Sequence, residues 1–271
     1  MKYTFGFFAS ILLSSICTAI VGCGEDDEDS GRGVLSLELW GEELIEEGIP
    51  GDELEDGYAV SYDKFLINLG QITVAREGQA PAIEKLAMRV WDLTKTGPFS
   101  LASITAPAGS YDHTAYAIAP ATSESTSGNA KAADIDLMVD GGYSVYVEGT
   151  ADDGTVSKHF SWGFDTDTEY DPCHSQGVLA DGGEATVQIT IHGDHLLYDD
   201  AVKAEPSPRF NAIALADADG DGEVTQAELL DYDITVLSNY GVGSLNIDNL
   251  WDFISHMTST LGHIDGEGHC E

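Results

Sequence analysis

Hydrophobic and polar residues alternate with a period of two through most of residues 34–200. In "VLSLELW", Leu35, Leu37 and Leu39 fall on one side of the chain and polar or larger residues on the other. Strands produce this pattern because successive side chains point to opposite faces. Similar runs follow, separated by "DGG", "DDG", "GNAKAAD" and "ADGG", which are typical turn sequences. With no strand–helix rhythm, the pattern predicts a mainly β fold, an antiparallel β-sandwich of immunoglobulin-like or related type.

The pattern changes at about residue 201, where helical spacing replaces alternation. "PSPRFNAIALA" predicts a helix with Ser207 as its N-cap and Pro208 at its first position. "AELLDYDI" predicts a second helix. In "LNIDNLWDFISHMTSTLGHI" the residues on one predicted helical face are Leu250, Phe253, Ile254 and Met257. Residues 201–271 are therefore predicted to form a helical segment that packs on the sandwich.

Between the first two predicted helices lies "DADGDGEVTQAE", residues 217–228, here called the acidic loop. It fills every position of the EF-hand calcium loop, including Gly222 at the sharp turn. The ion would be surrounded by carboxylates at the first, third, fifth and twelfth positions, a backbone carbonyl at the seventh and a bridging water at the ninth. The predicted ligand positions are Asp217, Asp219, Asp221, Glu223, Thr225 and Glu228. The expected cofactor is Ca²⁺.

A second EF-hand loop is the usual partner of the first. "SNYGVGSLNIDN", residues 238–249, has Gly243 and Leu245 at the matching sixth and eighth places, but it has almost no charge at its ligand positions. One interpretation is a metal-free loop that pairs through Leu245, and the other is ordinary connecting structure. A single charged loop in a chain with four methionines favours a structural calcium site over a sensor with a Met-rich groove.

Two strand-like runs carry histidines beside carboxylates. In "VQITIHGDHLLYDD" the apolar residues lie on one predicted strand face and His192 lies on the other. In "SKHFSWGFD" the aromatic residues likewise lie on one face and His159 on the opposite one. If the two strands pair, both histidines lie on one side of a sheet, and a bulge at Gly193 brings His195 and Asp194 close. Imidazole with carboxylate suits zinc, copper or iron. The alternative is that these are polar residues of a strand face or partners of the helical tail.

The first residues and the cysteines indicate the cellular compartment of the protein. "MKYTFGFFASILLSSICTAIVGC" has an early lysine, an apolar run and small residues before Cys23, which is typical of a secretory signal. "IVGC" resembles the lipobox of bacterial lipoproteins. This implies a signal peptide at residues 1–22, a lipid anchor on Cys23 and an acidic tether at residues 23–33. The alternative is an ordinary signal peptide with a chance cysteine.

The lipid would hold the protein to a membrane of the cell envelope, by expectation the outer membrane, because Gly24 replaces the aspartate that marks inner-membrane retention. In such an oxidising compartment Cys173 and Cys270 are expected to form a disulfide, the alternative being unpaired or metal-bound thiols. That bond would fold the tail back, so that His263 and His269 join the histidine site.

The charge balance limits the partners. The chain has 11 Lys+Arg against 48 Asp+Glu, a formal net charge of −37. Such a chain repels nucleic acid and attracts cations, so the expected partners are the membrane, through the lipid, and an envelope protein. Because no nucleophile elbow, HExxH or phosphate loop occurs, we expect a non-catalytic protein, with a metal-stabilised hydrolase as an alternative.

The order of three segments resembles a known family. "YAVSYDKFLINLGQITVA", "ITAPAGSYDHTAYAI" and "YSVYVEG" are similar to segments of MbnP-type periplasmic metal-binding lipoproteins and cover about half of the chain. The aromatic cluster that surrounds a copper site in that family has "HFSWGF" as its nearest counterpart here. The resemblance implies an envelope lipoprotein that binds or helps take up a transition metal.

Overall fold

Two β-sheets enclose most of the apolar core, consistent with the predicted β-sandwich. The computed structural model describes residues 31–266, Gly268 and Cys270, which belong to one compact unit. The strands are β1 (Arg32–Trp40), β2 (Ala59–Ala75), β3 (Ile83–Leu86), β4 (Arg89–Asp92), β5 (Phe99–Pro107), β6 (Gly109–Tyr111), β7 (His113–Ile118), β8 (Thr126–Ser127), β9 (Val145–Asp152), β10 (Ser157–Phe164), β11 (Thr168–Cys173), β12 (Gly177–Leu179), β13 (Glu184–Ile191), β14 (Glu223–Val224) and β15 (Gly262–Ile264). The α-helices are α1 (Glu42–Glu46), α2 (Ala132–Gly141), α3 (Asn211–Ala216), α4 (Gln226–Asp231) and α5 (Leu250–Met257).

The smaller sheet has the strand order β15-β13-β1-β5, and the larger sheet has β11-β7-β2-β9-β10-β14, with β3 and β4 paired to β2 and β8 paired to β4. Strands β6 and β12 form a separate pair. Most neighbours are antiparallel, as predicted. However, β1 and β13 run parallel in the centre of the smaller sheet, from the pair Val34/Glu184 to the pair Trp40/Thr190. The expectation of a purely antiparallel sandwich is therefore wrong for these strands.

The predicted alternation is confirmed in the core. Leu35, Leu37 and Leu39 are fully buried, and the apolar residues of β13 lie beside them. The larger sheet contributes aromatic residues of β10, among them Trp162 and Phe164. Each fully buried side chain of this size contributes about 1.5–3 kcal/mol through the hydrophobic effect, so the alternation largely determines the sandwich.

Helix α2 covers a second, smaller core on the other side of strand β2. Leu66 of β2 and Tyr146 of β9 pack there against Met138 of the helix. Strand β2 is thus buried on both faces in its middle part, where alternation gives no signal. The sequence interpretation of "GNAKAAD" as turn only is incomplete, because α2 starts within it. The helix ends at Gly141 and is capped by Gly142, whose φ is positive at 64°.

The helix after residue 201 begins later than predicted. Pro208 pairs with Tyr198 in an isolated β-bridge, which keeps the chain extended, so Ser207 does not cap the helix. Helix α3 starts at Asn211 instead, and its N-terminus is capped by a distant side chain. Both Phe210 and Asn211 donate their backbone N–H to Oδ2 of Asp56, at 2.7 Å each. Local sequence rules cannot predict this cap, because Asp56 is far from helix α3 along the chain.

The C-terminal segment extends both sheets. Strand β14 pairs with β10 in the larger sheet, and β15 pairs with β13 in the smaller one. Helix α5 buries the predicted face, and Trp251 stacks on Phe164 with ring centroids 4.8 Å apart. Within the described residues, no helix has the length and apolar character needed to cross a membrane.

Candidate metal centres

The acidic loop directs its first three carboxylates to one place. Oxygen atoms of Asp217, Asp219 and Asp221 all lie within 4.8 Å of one another. Three negative charges at this separation repel unless a cation lies between them. The arrangement therefore suits an ion that prefers oxygen ligands, as calcium does.

Hydrogen bonds from the loop backbone hold these carboxylates. Gly220 donates its N–H to Oδ1 of Asp217 at 2.7 Å, and Asp221 donates to Oδ1 of Asp219 at 3.1 Å. Glu223 donates to Oδ1 of Asp221 at 2.8 Å. Such turns are characteristic of aspartate, whose side chain accepts from the backbone two or three residues later. The chain can reverse at Gly222 because its φ of 91° is accessible to glycine.

Glu228 closes the loop at its other end. Its Oε2 accepts the N–H of Thr225 at 2.9 Å, and Thr225 Oγ1 in turn accepts the N–H of Glu228 at 3.3 Å, which forms a capping box for α4. Its Oε1 accepts the N–H of Ala218 at 3.1 Å, so the carboxylate spans the mouth of the loop. The hydrogen bonds from Thr225 lower the pKa of Glu228.

A lysine from the sandwich also contacts the acidic loop. The ammonium of Lys158 on β10 forms an ion pair with Oδ2 of Asp217, whose side chain is fully covered. Gly222 donates to the same oxygen at 3.0 Å. Lys158, followed by these backbone donors, lowers the pKa of Asp217. The ion pair therefore holds the first ligand position ionised and fixed to the larger sheet.

The β contact of the acidic loop goes to the sandwich. Val224 pairs with Phe160 of β10, and His159 donates its N–H to the carbonyl of Gly222 at 2.8 Å. The indole of Trp162 donates to the carbonyl of Val224 at 2.8 Å. Pairing with Leu245 of a second loop, one of the two interpretations of residues 238–249, is thus wrong, because strand β10 occupies that position.

The predicted histidine site is only partly assembled. His159 lies on β10 in the larger sheet, whereas His192 follows β13 in the smaller sheet, so the assumption that their strands pair is wrong. His159 is exposed, and its Nδ1 lies 3.0 Å from Oγ1 of Thr150, beside the acidic loop. It belongs to the surroundings of the acidic loop.

His192, His195 and His263 instead form a compact group, here called the histidine cluster. Their ring centroids lie 4.3 Å apart for His192 and His263, 4.9 Å for His195 and His263, and 5.1 Å for His192 and His195. All three are at least nine-tenths buried. His192 follows β13, His195 lies in the 3₁₀ turn Gly193–Leu197, and His263 lies in β15. The expectation that His192 faces solvent is wrong, because His192 is buried next to the pairing of β13 with β15.

Polar neighbours orient the rings of the histidine cluster. His195 Nδ1 lies 2.7 Å from the carbonyl oxygen of Thr260 and therefore carries the proton. His192 Nε2 lies 3.4 Å from the carbonyl oxygen of Gly266, and its Nδ1 lies 3.7 Å from Oε2 of Glu42. A ligand atom of Asp194 lies within 4.8 Å of ligand atoms of His192 and His195.

No protein-family model, curated protein or solved structure matches this chain. The resemblance to MbnP-type lipoproteins therefore rests on the sequence segments alone.

The two cysteines expected to pair lie at disulfide distance. The sulfur atoms of Cys173 and Cys270 are 1.93 Å apart, and the residues are separated by 97 positions. The bond links β11 to the chain that follows β15, the strand that carries His263. His269, Cys23 and the predicted signal peptide lie outside the described residues, as does most of the acidic tether.

A cavity of about 370 Å³ opens beside the histidine cluster. His195 and His263 form part of its wall. Further lining residues are Tyr170, Tyr198, Met257 and Cys270. Sequence reasoning placed His263 near the other histidines only through the expected disulfide, because "LGHI" is too short to be recognised as a strand. The apolar Leu261 and Ile264 that flank it were the available signal.

Proposed function

We propose that the protein is a non-catalytic calcium-binding protein of the cell envelope, in which Ca²⁺ fixes the C-terminal segment to the β-sandwich. The observation that carries the proposal is the acidic loop. Its carboxylates converge within 4.8 Å while its β contact is made with strand β10. The loop fills the EF-hand pattern at every position, and the residues present fit calcium.

Calcium takes six to eight oxygen ligands at about 2.3–2.6 Å. Asp217, Asp219 and Asp221 would supply carboxylate oxygens, Glu223 its backbone carbonyl and Glu228 both carboxylate oxygens, with a water at Thr225. When bound, the ion supplies positive charge that relieves the repulsion between these carboxylates. The chain itself holds the ligands in place through the backbone N–H groups of residues 218–225.

The surroundings of the loop favour a structural role. A sensor pair opens a hydrophobic groove when calcium binds. Here Val224 is fixed by Phe160 and Trp162 in the larger sheet, and both are buried. Helices α3 and α4, which flank the loop, bury apolar residues in the same core as the sandwich. Binding at this place would tie the segment after residue 201 to a rigid strand.

The envelope location rests on the sequence. The early lysine, the apolar run and "IVGC" support secretion with a lipid on Cys23, and the outer membrane is the proposed destination. The formal net charge of −37 fits a calcium-containing exterior, where cations screen the acidic surface. An envelope protein is the proposed partner.

Isothermal titration of the purified calcium-free protein with Ca²⁺ tests the proposal. We expect one bound ion per chain, and at least about a tenfold loss of affinity in Glu228→Gln, which replaces a charged bidentate ligand by a neutral amide. Glu124→Gln, at an exposed turn outside the loop, is the matched control and keeps the affinity. Absence of calcium binding in the unchanged protein, or equal affinity in Glu228→Gln, would refute calcium binding.

Limited proteolysis of the same samples separates binding from the structural role. Calcium should protect the segment after residue 201 from cleavage in the unchanged protein and in Glu124→Gln. If calcium binds but cleavage sites and rates stay the same, the ion does not fix the segment to the sandwich.

A further inference from the structure

We propose that His192, Asp194, His195 and His263 form a binding site for a divalent transition metal, with Zn²⁺ as the ion that fits the ligand set best. The site lies at the end of the smaller sheet, whereas the acidic loop lies on the edge of the larger one. The proposal therefore stands independently of the calcium site.

The ring centroids of the three histidines are spaced about as they would be around a common ion, and the ligand atoms of His192, Asp194 and His195 lie within 4.8 Å of one another. A metal–nitrogen distance of about 2.0–2.1 Å and tetrahedral angles place the ring centroids of two ligating histidines about 5 Å apart. The observed separations are 4.3, 4.9 and 5.1 Å. Two of them agree with this value, and the pair His192/His263 requires a small movement of one ring.

Backbone carbonyls orient the rings of His195 and His192 in the way that is common for metal ligands. Nδ1 of His195 donates to the carbonyl of Thr260, so Nε2 is the unprotonated nitrogen of this ring. Nε2 of His192 lies 3.4 Å from the carbonyl oxygen of Gly266, and its Nδ1 lies 3.7 Å from Oε2 of Glu42. Metal-ligating histidines commonly donate their second N–H to a backbone carbonyl or a carboxylate, which fixes the ring and raises its basicity.

Asp194 gives independent support for a cation site. Its Oδ1 is buried and has no hydrogen-bond partner within the described part of the chain. A buried carboxylate oxygen without a partner is costly and rare in native proteins. An ion held between Asp194, His192 and His195, whose ligand atoms lie within 4.8 Å of one another, would satisfy it.

The ligand types select the metal class. Imidazole nitrogens with one carboxylate suit zinc and related divalent ions, whereas calcium prefers oxygen ligands only. The carboxylate of Glu42 adds a second negative charge 3.7 Å from His192. The cavity of about 370 Å³, whose wall includes His195 and His263, provides a path by which the ion reaches the site.

Titration with Zn²⁺ in the presence of saturating Ca²⁺ tests this site while calcium occupies the acidic loop. We expect one tightly bound Zn²⁺ per chain, and an affinity loss of at least about 100-fold in His195→Gln and in His263→Gln. Asp194→Asn keeps the size of the side chain and should lower the affinity at least about tenfold. The control is the double variant His113→Gln/His174→Gln, which removes an exposed histidine pair whose ring centroids lie 6.1 Å apart.

Cobalt(II) gives a second readout that does not depend on the stability of a variant. Co²⁺ bound to the unchanged protein should show the intense visible absorption of a four-coordinate site, and Zn²⁺ should abolish it by displacement. The absence of tight Zn²⁺ binding overturns the proposal. So does binding that survives in His195→Gln and His263→Gln, or that is lost only in the His113/His174 double variant.

Discussion

Lys158 of strand β10 and Asp217 at the first position of the acidic loop form an ion pair in which the aspartate side chain is fully covered. The ammonium thus lies where the positive charge of a calcium ion would act. The relationship links the sandwich to the loop by charge as well as by the β contact at Val224. The ion pair should therefore affect the affinity of the acidic loop for Ca²⁺.

Replacing Lys158 by methionine should raise the calcium affinity by roughly 3- to 30-fold, because a unit charge about 4 Å from a divalent ion costs about 2 kcal/mol even in water. Titration calorimetry of Lys158→Met measures the change. Lys131→Met removes the same charge from an exposed position and controls for the net charge. A lower affinity in Lys158→Met would mean that the lysine mainly positions Asp217.

The calcium-free protein should lose stability on the acid side. The pKa values of Asp217 and Glu228 are lowered from their ordinary values of 3.8 and 4.5, by Lys158 and by Thr225 respectively. A lowered folded-state pKa stabilises the fold above the ordinary value, and this contribution disappears as the pH falls through the folded-state value. The free energy of unfolding should therefore decrease as the pH is lowered from 4.5 to below 3.8.

Urea unfolding in a chelator at several pH values measures this dependence. Glu228→Gln should weaken it, since an amide does not titrate in this range, while Glu124→Gln should keep it. An identical pH dependence in Glu228→Gln and the unchanged protein would show that the carboxylate of Glu228 does not contribute.

Trp162→Phe should uncouple the acidic loop from the sandwich. The change leaves the carbonyl of Val224 without its indole donor and costs about 1–3 kcal/mol of unfolding free energy. It should also lower the calcium affinity, because the loop loses its anchor on β10. Trp91→Phe, a buried tryptophan on β4, should destabilise the protein without changing calcium binding. Equal calcium affinities in both variants would contradict the coupling.

Replacing both Cys173 and Cys270 by serine should lower the free energy of unfolding by about 2–4 kcal/mol, because the disulfide closes a long loop in the unfolded chain. Urea unfolding with Ca²⁺ present measures the effect. Zn²⁺ affinity should fall as well, since the bond anchors the chain that follows β15 and its His263. Calcium affinity should stay unchanged, because the acidic loop is held by β10. A loss of Ca²⁺ affinity together with an unchanged Zn²⁺ affinity would contradict this prediction.

Sequence patterns are informative here where the physical cause is local. The alternation of Leu35, Leu37 and Leu39 predicts the buried face of β1 because a strand has a fixed side-chain period. The acidic loop is recognisable because its carboxylate and glycine positions follow from one short turn. Helix α5 is predicted because its apolar spacing covers a single face.

Long-range relationships escape the same reasoning. Alternation places His159 and His192 on faces of their strands, but it does not say that the strands belong to different sheets. The cap of α3 comes from Asp56, far away along the chain, and local rules therefore assign it to Ser207. His263 joins the histidine cluster because β15 pairs with β13. A strand of three residues is too short to be predicted from the sequence.

The parallel pairing of β1 with β13 also determines when the fold can be completed. Strand β1 begins at Arg32, but its parallel neighbour begins only at Glu184, and β15 adds to the same sheet later still. Folds dominated by contacts between distant residues form slowly, because long loops must close before those contacts stabilise anything. The smaller sheet can therefore be completed only after the last third of the chain has emerged, and the disulfide at Cys270 is a late addition to the fold.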